Sequence, residues 1–182
     1  MDIAITSTPC VKIVRYADDF VIMCKSKIIS EFMMVKVKSV LKQLKLQLHK
    51  EKTKIVNARK DQFEFLGFIF GIKQGKHNIK PKDKSIKKFK DLVRIVTKRK
   101  SPIKSEQMVG ILNWTIRGLG NYFKIGDTKI LFKQLDVWIR MKVRCFIEKK
   151  KSRYAHQRLP NYVLQSKYKL ASLCTLIKPR SL

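Results

Sequence analysis

Two short β-prone runs, residues 11–16 and 20–23, flank the adjacent carboxylates Asp18 and Asp19. Apolar runs separated by a short polar corner are typical of a β-hairpin, so this stretch predicts one hairpin of the fold. Asp is a common turn residue. However, two-residue hairpin turns usually contain glycine, and residues 16–19 contain none. Because like charges at such a corner repel each other, we interpret the pair as ligands that share a hard divalent cation.

The net charge restricts the class of partner. The chain has 182 residues, with 42 Lys and Arg against 13 Asp and Glu, and a formal net charge of +29. Such an excess predicts a polyanionic partner, with nucleic acid first and an anionic membrane surface second. The membrane alternative is disfavoured because no apolar run approaches the ~20 residues that span a bilayer. The amino terminus also lacks the basic start of a secretory signal.

The cysteines and histidines are scattered, without the Cys-x-x-Cys or Cys–His spacing of a zinc site. We therefore predict neither a structural zinc ion nor a disulfide framework. Reduced thiols in a bacterial cytoplasm, an organellar matrix or a stroma are the expectation. We interpret each histidine as a surface or core residue rather than as a ligand.

The first half of the chain alternates between strand and helix patterns. Apolar residues three and four apart predict an amphipathic helix over residues 26–44. Residues 46–56 alternate enough to predict a strand. Residues 63–70 are the most β-prone run and, with turn material at 73–76, predict a second hairpin. Gly67 inside that run predicts a bulge or a close approach of another backbone.

From Asp83 onward the pattern is helical. We predict helices over residues 83–99, 107–123, 130–150 and 162–174. The second of these helices is expected to be interrupted near its end, where Gly118 and Gly120 occur. The aromatic residues Trp114, Tyr122 and Trp138 could stack on unpaired bases. At helical spacing, however, core positions are the favoured interpretation for these three side chains.

Several blocks resemble group II intron reverse transcriptases and maturases. Residues 16–19, Tyr-Ala-Asp-Asp between β-prone runs, resemble the metal-binding hairpin of a reverse-transcriptase palm. Residues 46–55 are similar to the family's strand with a Lys-Thr pair, and residues 63–70 to its primer-grip hairpin. A fourth block resembles the maturase-specific thumb domain. Its matching positions are Leu112, Asn113, Arg117, Gly118, Asn121, Tyr122, Phe123, Phe132, Leu135, Asp136, Trp138, Ile139, Arg140 and Arg144.

The resemblance implies an α+β fold, in which a partial palm of hairpin, helix and hairpin precedes an all-α thumb and maturase domain. The implied boundaries are residues 1–82 for the palm part, 83–151 for the helical domain and 152–182 for a basic tail. The implied function is binding of group II intron RNA and of an RNA/DNA primer-template. In the intact protein this function supports splicing and RNA-templated DNA synthesis by two-metal nucleotidyl transfer.

The resemblance also assigns roles to single residues. Asp18 and Asp19 are the catalytic pair and two of the three carboxylates that coordinate Mg²⁺. The substrate- and primer-binding positions are Tyr16, Ala17, Lys52, Phe65, Leu66 and Gly67. The RNA-binding positions are Lys54, Lys73, Arg117, Asn121, Tyr122, Arg140, Lys142, Arg144, Lys149, Lys150, Lys151 and Arg153.

The family's fingers and first palm blocks, which supply the third carboxylate, precede its acidic hairpin. Here only ten residues precede the hairpin, and Asp2 lacks the family's surrounding pattern. We therefore expect an amino-terminally truncated protein that binds RNA but lacks polymerase activity on its own. One alternative is half of a split reverse transcriptase that needs a separate fingers and palm chain. Another is a degenerate remnant without function.

Overall fold

The computed structural model of the chain describes residues 11–49, 51–73, 75–149 and 155–177. The chain splits into two compact units, Met1–His77 and Asn78–Leu182. Two small antiparallel sheets and a series of helices make up the described residues, which confirms the predicted α+β class. No helix in the described ranges is both long and apolar enough to cross a membrane.

The predicted acidic hairpin is present. Strand β1 (Val11–Tyr16) pairs antiparallel with strand β2 (Asp19–Cys24). The register places Tyr16 opposite Asp19, so the turn has two residues, Ala17 and Asp18. The alternation of the strands directs one set of apolar side chains inward, and these pack beneath the following helix.

Helix α1 (Lys27–Gln43) covers one face of this hairpin. It begins where the Ser26 hydroxyl accepts a hydrogen bond of 3.3 Å from the Ile29 amide. Its buried residues recur four apart and form a core with Val11 of β1; they are Met33, Val37 and Leu41. The amphipathic prediction is confirmed, although Phe32, one of the predicted apolar positions, is 59% exposed.

The strand predicted over residues 46–56 is absent from the described part of that segment. Lys45 has a φ of 56°. The amide of Leu46 turns back to donate a hydrogen bond of 2.8 Å to the Leu41 carbonyl, which closes helix α1. Leu46 and Ile55 are 57% and 43% exposed. An alternating pattern needs a neighbouring strand to form a ladder, and none of the described strands pairs with these residues.

The β-prone run at residues 63–70 is folded into two strands rather than one. Strand β3 (Phe63–Phe65) pairs antiparallel with β4 (Phe68–Lys73), and β5 (Lys76–Pro81) completes the sheet in the order β3-β4-β5. Leu66 and Gly67 form the two-residue turn, with φ values of 48° and 75°. Positive φ at both positions is what a type I′ turn requires. The prediction of a bulge at Gly67 was therefore wrong.

The second unit is built mainly from three long helices. These are α2 (Asp83–Val96), α3 (Ser105–Phe123) and α4 (Lys129–Ile147). Short helices α5 (Ala155–Arg158) and α6 (Asn161–Ser166) and a 3₁₀ turn (Cys174–Leu176) follow. Its largest fully buried side chains are Val93, Met108, Leu112, Ile116, Phe132, Leu135, Ile139, Phe146, Leu164 and Leu173.

Helix α3 continues through Gly118 and Gly120, so the predicted interruption was wrong. A Cβ atom on Gly120 would clash with Leu176 Cδ1 and would lie 3.2 Å from Leu173 Cδ2. The glycine therefore permits close packing of the carboxyl-terminal residues on α3 and does not break the helix. The last predicted helix, 162–174, was too long, because α6 ends at Ser166.

The loop before α4 is tied to β5 by paired hydrogen bonds. The Ile79 amide donates to Asp127 Oδ2 at 3.0 Å, and the Asp127 amide donates to the Ile79 carbonyl at 2.6 Å. A Cβ on the neighbouring Gly126 would lie 2.8 Å from that carbonyl oxygen. Only a residue without a side chain fits this close approach.

Candidate functional site

The acidic corner presents its two carboxylates to solvent. Asp18 is the second turn residue and Asp19 the first residue of β2, and both are exposed. Tyr16, opposite Asp19, is 67% exposed. The Arg15 Nε donates a hydrogen bond of 2.9 Å to the Ala17 carbonyl, which ties the turn to β1.

The described residues do not make up the complete magnesium site that the resemblance implies. Asp18 and Asp19 provide two carboxylates at adjacent positions. No group of three or more His, Cys, Asp or Glu side chains that could hold a metal occurs in the described ranges. Divalent cations such as Mg²⁺ prefer oxygen ligands, so the chemistry of this pair is suitable, but the number of ligands is insufficient.

Ala17 adopts a backbone conformation that disfavours an alanine. Its φ is 50°, in the left-handed region that a side chain destabilises by about 1 kcal/mol. We expect Ala17→Gly to raise the free energy of unfolding by about 0.5 kcal/mol, after the greater entropy of glycine in the unfolded chain is subtracted. Ala17→Val, with a branched side chain, should lower it. Urea unfolding of the two variants measures both changes, and equal values for Gly and Val would contradict the expectation.

The predicted primer-binding residues lie in two different local settings. Phe65, Leu66 and Gly67 are half-buried at the β3–β4 turn. Lys52 lies exposed in a turn and Lys54 lies exposed in a segment without regular structure. Of the predicted RNA-binding residues, Lys73 is in β4, but its side chain lies outside the described part of the chain. Lys150, Lys151 and Arg153 lie wholly outside the described residues.

The carboxyl-terminal segment, residues 155–177, is held on helices α3 and α4 by polar contacts. On α3, Asn113 donates a hydrogen bond of 2.8 Å to the Lys169 carbonyl and accepts one of 2.7 Å from the Ala171 amide. Because one side-chain amide makes both hydrogen bonds, these bonds fix the register of the segment along the helix. Asn113 therefore has a structural reason to occupy its position in the family pattern.

Asp136 on α4 is a buried carboxylate, 4% exposed, that serves the same segment. It accepts hydrogen bonds from the Ser172 hydroxyl at 2.5 Å, the Leu173 amide at 2.8 Å and the Cys174 amide at 3.1 Å. Burial raises the pKa of the Cys174 thiol, and the hydrogen bond and charge of Asp136 raise this pKa further. Asp136 thus caps the start of the 3₁₀ turn.

Arg144, a predicted RNA-binding residue, also contacts this segment. Its Nε donates a hydrogen bond of 2.7 Å to the Leu159 carbonyl, and its Nη2 donates one of 2.8 Å to Asn161 Oδ1. Burial lowers the pKa of the guanidinium, as does the nearby charge of Arg140, and Glu148 opposes this shift. The geometry favours a structural role for Arg144.

At the end of helix α4, the charged side chains of Glu148 and Lys149 contact neighbouring groups of the protein. Glu148 accepts two hydrogen bonds of 2.8 Å from Arg158, through Nε and Nη2. The Lys149 ammonium lies 3.8 Å from the centre of the Phe146 ring and 3.4 Å from the Ser101 carbonyl. Lys149, another predicted RNA-binding residue, is therefore held against the protein, although the residue as a whole is exposed.

One side of helix α3 remains exposed. Trp114 is 80% exposed and Tyr122 is 50% exposed, and Arg117 and Asn121 are exposed between them. The interpretation of Trp114 and Tyr122 as core residues was wrong. The Tyr122 ring packs edge-on to Phe123, with ring centres 4.8 Å apart. This contact orients the Tyr122 ring on the exposed side of α3.

Three basic side chains converge on Trp138. The Lys90 ammonium lies 6.0 Å from the centre of the Trp138 ring, the Arg94 guanidinium 5.7 Å and the Lys142 ammonium 5.7 Å. We call these four residues the Trp138 cluster. Lys142 was predicted from the sequence, whereas Lys90 and Arg94 were missed. Their spacing of four residues places them on one side of α2, but the sequence does not reveal that this side lies beside α4.

Comparison with known families places these observations in context. Residues 86–162 match the family described as Group II intron, maturase-specific domain. Residues 1–70 match Reverse transcriptase (RNA-dependent DNA polymerase). The chain belongs to the group II intron reverse transcriptases and maturases. A comparison with curated proteins found no match.

Membership of this family establishes nucleic acid as the class of partner, and reverse transcriptases generally use Mg²⁺. The acidic corner lies in the reverse-transcriptase match, and the Trp138 cluster lies in the maturase-specific match. Within the maturase-specific region, the polar residues Asn113, Asp136 and Arg144 hold the carboxyl-terminal segment. These three side chains are therefore engaged with the protein itself, whereas the exposed side of α3 and the Trp138 cluster combine aromatic and basic side chains that a partner could contact.

Proposed function

We propose that this chain binds structured group II intron RNA through its second, helical unit. The observation that supports the proposal most directly is the exposed side of α3. There, Trp114 is 80% exposed, with Arg117 three residues further along the helix. A large aromatic side chain that remains in solvent loses the stabilisation that burial would provide. Beside a guanidinium, in a protein of net charge +29, it is suited to stack on an unpaired base while Arg117 contacts a phosphate.

The neighbouring positions on α3 fit the same role. Tyr122 offers a second aromatic ring that is 50% exposed, and Asn121 offers an amide that can bond to a base edge or ribose. Cβ atoms on Gly110 and Gly118 would meet nothing within 4 Å, so none of the described residues covers these positions. An RNA strand could therefore approach the helix backbone closely at both glycines.

In this proposal Asp18 and Asp19 stay the predicted catalytic and metal-binding pair of RNA-templated DNA synthesis. The described residues supply only these two carboxylates at the corner. RNA binding by the helical unit does not depend on that site, because counterion release from phosphates requires only basic side chains.

The proposal predicts strongly salt-dependent binding to structured RNA. If about five phosphates are neutralised, affinity should fall on the order of 10²- to 10³-fold between about 50 and 200 mM salt. Fluorescence anisotropy of a labelled, folded RNA containing unpaired loops measures this directly. Equal affinity at the two salt concentrations would contradict the proposal.

The role of α3 is tested by Trp114→Ala. Loss of stacking should weaken binding by about 1 to 3 kcal/mol, roughly 5- to 150-fold, with the salt dependence unchanged because no charge is removed. Tyr162→Ala is the matched control, since Tyr162 is an aromatic residue of the same unit that is 70% exposed. If both variants bind RNA as tightly as the wild type, α3 is not the stacking surface.

A further inference from the structure

The Trp138 cluster concentrates positive charge at one place on the helical unit. Lys90 and Arg94 come from α2 and Lys142 from α4, and all three cationic groups lie within 6.0 Å of one indole ring. Lys90 and Lys142 are half-buried, as is Trp138, so the charges of the two lysines are screened less than those of fully solvated side chains. Convergence of three like charges raises their mutual repulsion, which an anion would relieve.

The cluster has partial compensation within the protein. The Asp91 carboxylate pairs with Arg94 at 2.5 Å, and its side chain is 50% exposed. The aromatic ring attracts each cation through its negative face, by about 0.5 to 1 kcal/mol for an exposed pair. The four charged side chains, three basic and one acidic, nevertheless retain a surplus of two positive charges. The ring orients the cations without neutralising them.

The chemistry of the cluster distinguishes it from the exposed side of α3. Trp114 is 80% exposed, so its ring is accessible to a base. Trp138 is half-buried and already has three cations over its ring, which leaves it poorly placed to stack on a base. What the cluster offers to solvent is a set of ammonium and guanidinium donors, and these bind phosphate oxygens.

We propose that the Trp138 cluster is a binding site for the phosphodiester backbone of RNA that recognises phosphates and not bases. The inference rests on the proposed function, since it presumes that the helical unit binds RNA. It adds a second contact of different chemistry: α3 stacks on unpaired bases, and the cluster holds the backbone independently of sequence.

The test compares two triple variants that remove the same charge from the same two helices. The first is Lys90→Ala, Arg94→Ala and Lys142→Ala. The control is Lys84→Ala, Lys88→Ala and Lys129→Ala, three exposed lysines of α2 and α4. The surplus of two positive charges neutralises about two phosphates, at about 0.9 each, so we expect the first variant to reduce the slope of log affinity against log salt by about 2 units for double-stranded RNA. The control should retain nearly the wild-type slope.

Two unrelated duplex sequences and inorganic phosphate complete the experiment. Both duplexes should show the same reduction, and inorganic phosphate at the concentration of the RNA phosphates should displace neither. A charge-retaining variant, Lys90→Arg, Arg94→Lys and Lys142→Arg, should preserve the slope. Because this variant keeps the positive charges, it shows whether the charges themselves are needed for the slope. Thermal unfolding of each variant measures whether the substitutions have impaired folding.

The outcomes separate the two proposals. If the wild type binds no RNA, both the proposed function and this site are overturned. If the wild type binds RNA with a steep salt dependence but the slope falls equally in the two triple variants, only the cluster is overturned, and the attraction is a property of the whole surface. A reduction that differs between the two duplexes would overturn the assignment to phosphates, and displacement by inorganic phosphate would overturn the assignment to the RNA backbone in favour of a site for the free anion.

Discussion

We expect Asp136→Asn to lower the free energy of unfolding of the helical unit by about 3 kcal/mol. The carboxylate is 4% exposed and accepts hydrogen bonds from the Ser172 hydroxyl and from two backbone amides, those of Leu173 and Cys174. An asparagine amide of the same size has one acceptor oxygen and one NH₂ group. The NH₂ group would face donors, so at least one buried amide would lose its partner.

Urea unfolding followed by tryptophan fluorescence measures this loss, since Trp138 lies two residues from Asp136 on the same helix. Asp91→Asn is the control. Its carboxylate pairs with Arg94 on the surface of α2, 50% exposed, and such pairs contribute only about 0.5 kcal/mol. A loss below about 1 kcal/mol for Asp136→Asn would show that the carboxyl-terminal segment adds little to stability.

Much of the local structure could be predicted from the sequence where a pattern is satisfied by near neighbours. The acidic hairpin and helix α1 are of this kind, because the apolar faces of β1, β2 and α1 bury one another within about thirty residues. The strand predicted over residues 46–56 is of the opposite kind. Its alternation needed a partner strand, and Leu46 instead closes helix α1. Alternation alone does not indicate whether a partner exists.

Glycines were misinterpreted for a related reason. Gly120 was expected to interrupt α3, but its missing side chain accommodates Leu173 and Leu176, which are more than fifty residues further along the chain. Gly67 was expected to mark a bulge or a close approach of another backbone, and it supplies the second positive φ of a tight turn after Leu66. Gly120 is required by a close contact and Gly67 by a positive φ, and the local composition specifies neither.

Some residues of the candidate site could be predicted from the sequence, and others could not. Asp18, Asp19 and the basic character of the helical unit are visible in the sequence, because residue type and spacing are sufficient to indicate them. The Trp138 cluster is not, since it depends on which sides of α2 and α4 meet. The structural role of Asn113 and Asp136 is also hidden, because their partners, Lys169 to Cys174, carry no recognisable pattern.

A second large effect is expected for Arg144→Ala, which should lower the free energy of unfolding by about 2 kcal/mol. Its guanidinium bonds to the Leu159 carbonyl at 2.7 Å and to Asn161 at 2.8 Å, and its partial burial makes these bonds stronger than those of a solvated arginine. Because the group is engaged with the protein, the salt dependence of RNA binding by the folded variant should remain that of the wild type.

Arg117→Ala should show the opposite behaviour. Arg117 is exposed on α3, so its removal should change the free energy of unfolding by less than about 0.5 kcal/mol. It should also reduce the salt slope by about 0.9, the value for one phosphate contact. Urea unfolding and anisotropy titrations of the two variants, side by side, therefore distinguish an arginine that holds the fold from one that contacts RNA.

Arg144→Lys decides between charge and geometry at the same position. Lysine retains the positive charge but is a single point donor, and it does not reproduce a planar group that bonds to two partners at once. If Arg144 acts as the structure indicates, Arg144→Lys should lose most of the stability that Arg144→Ala loses. If the lysine variant is as stable as the wild type while Arg144→Ala loses RNA affinity, the residue acts through its charge, and the sequence-based assignment of Arg144 to RNA binding is the correct one.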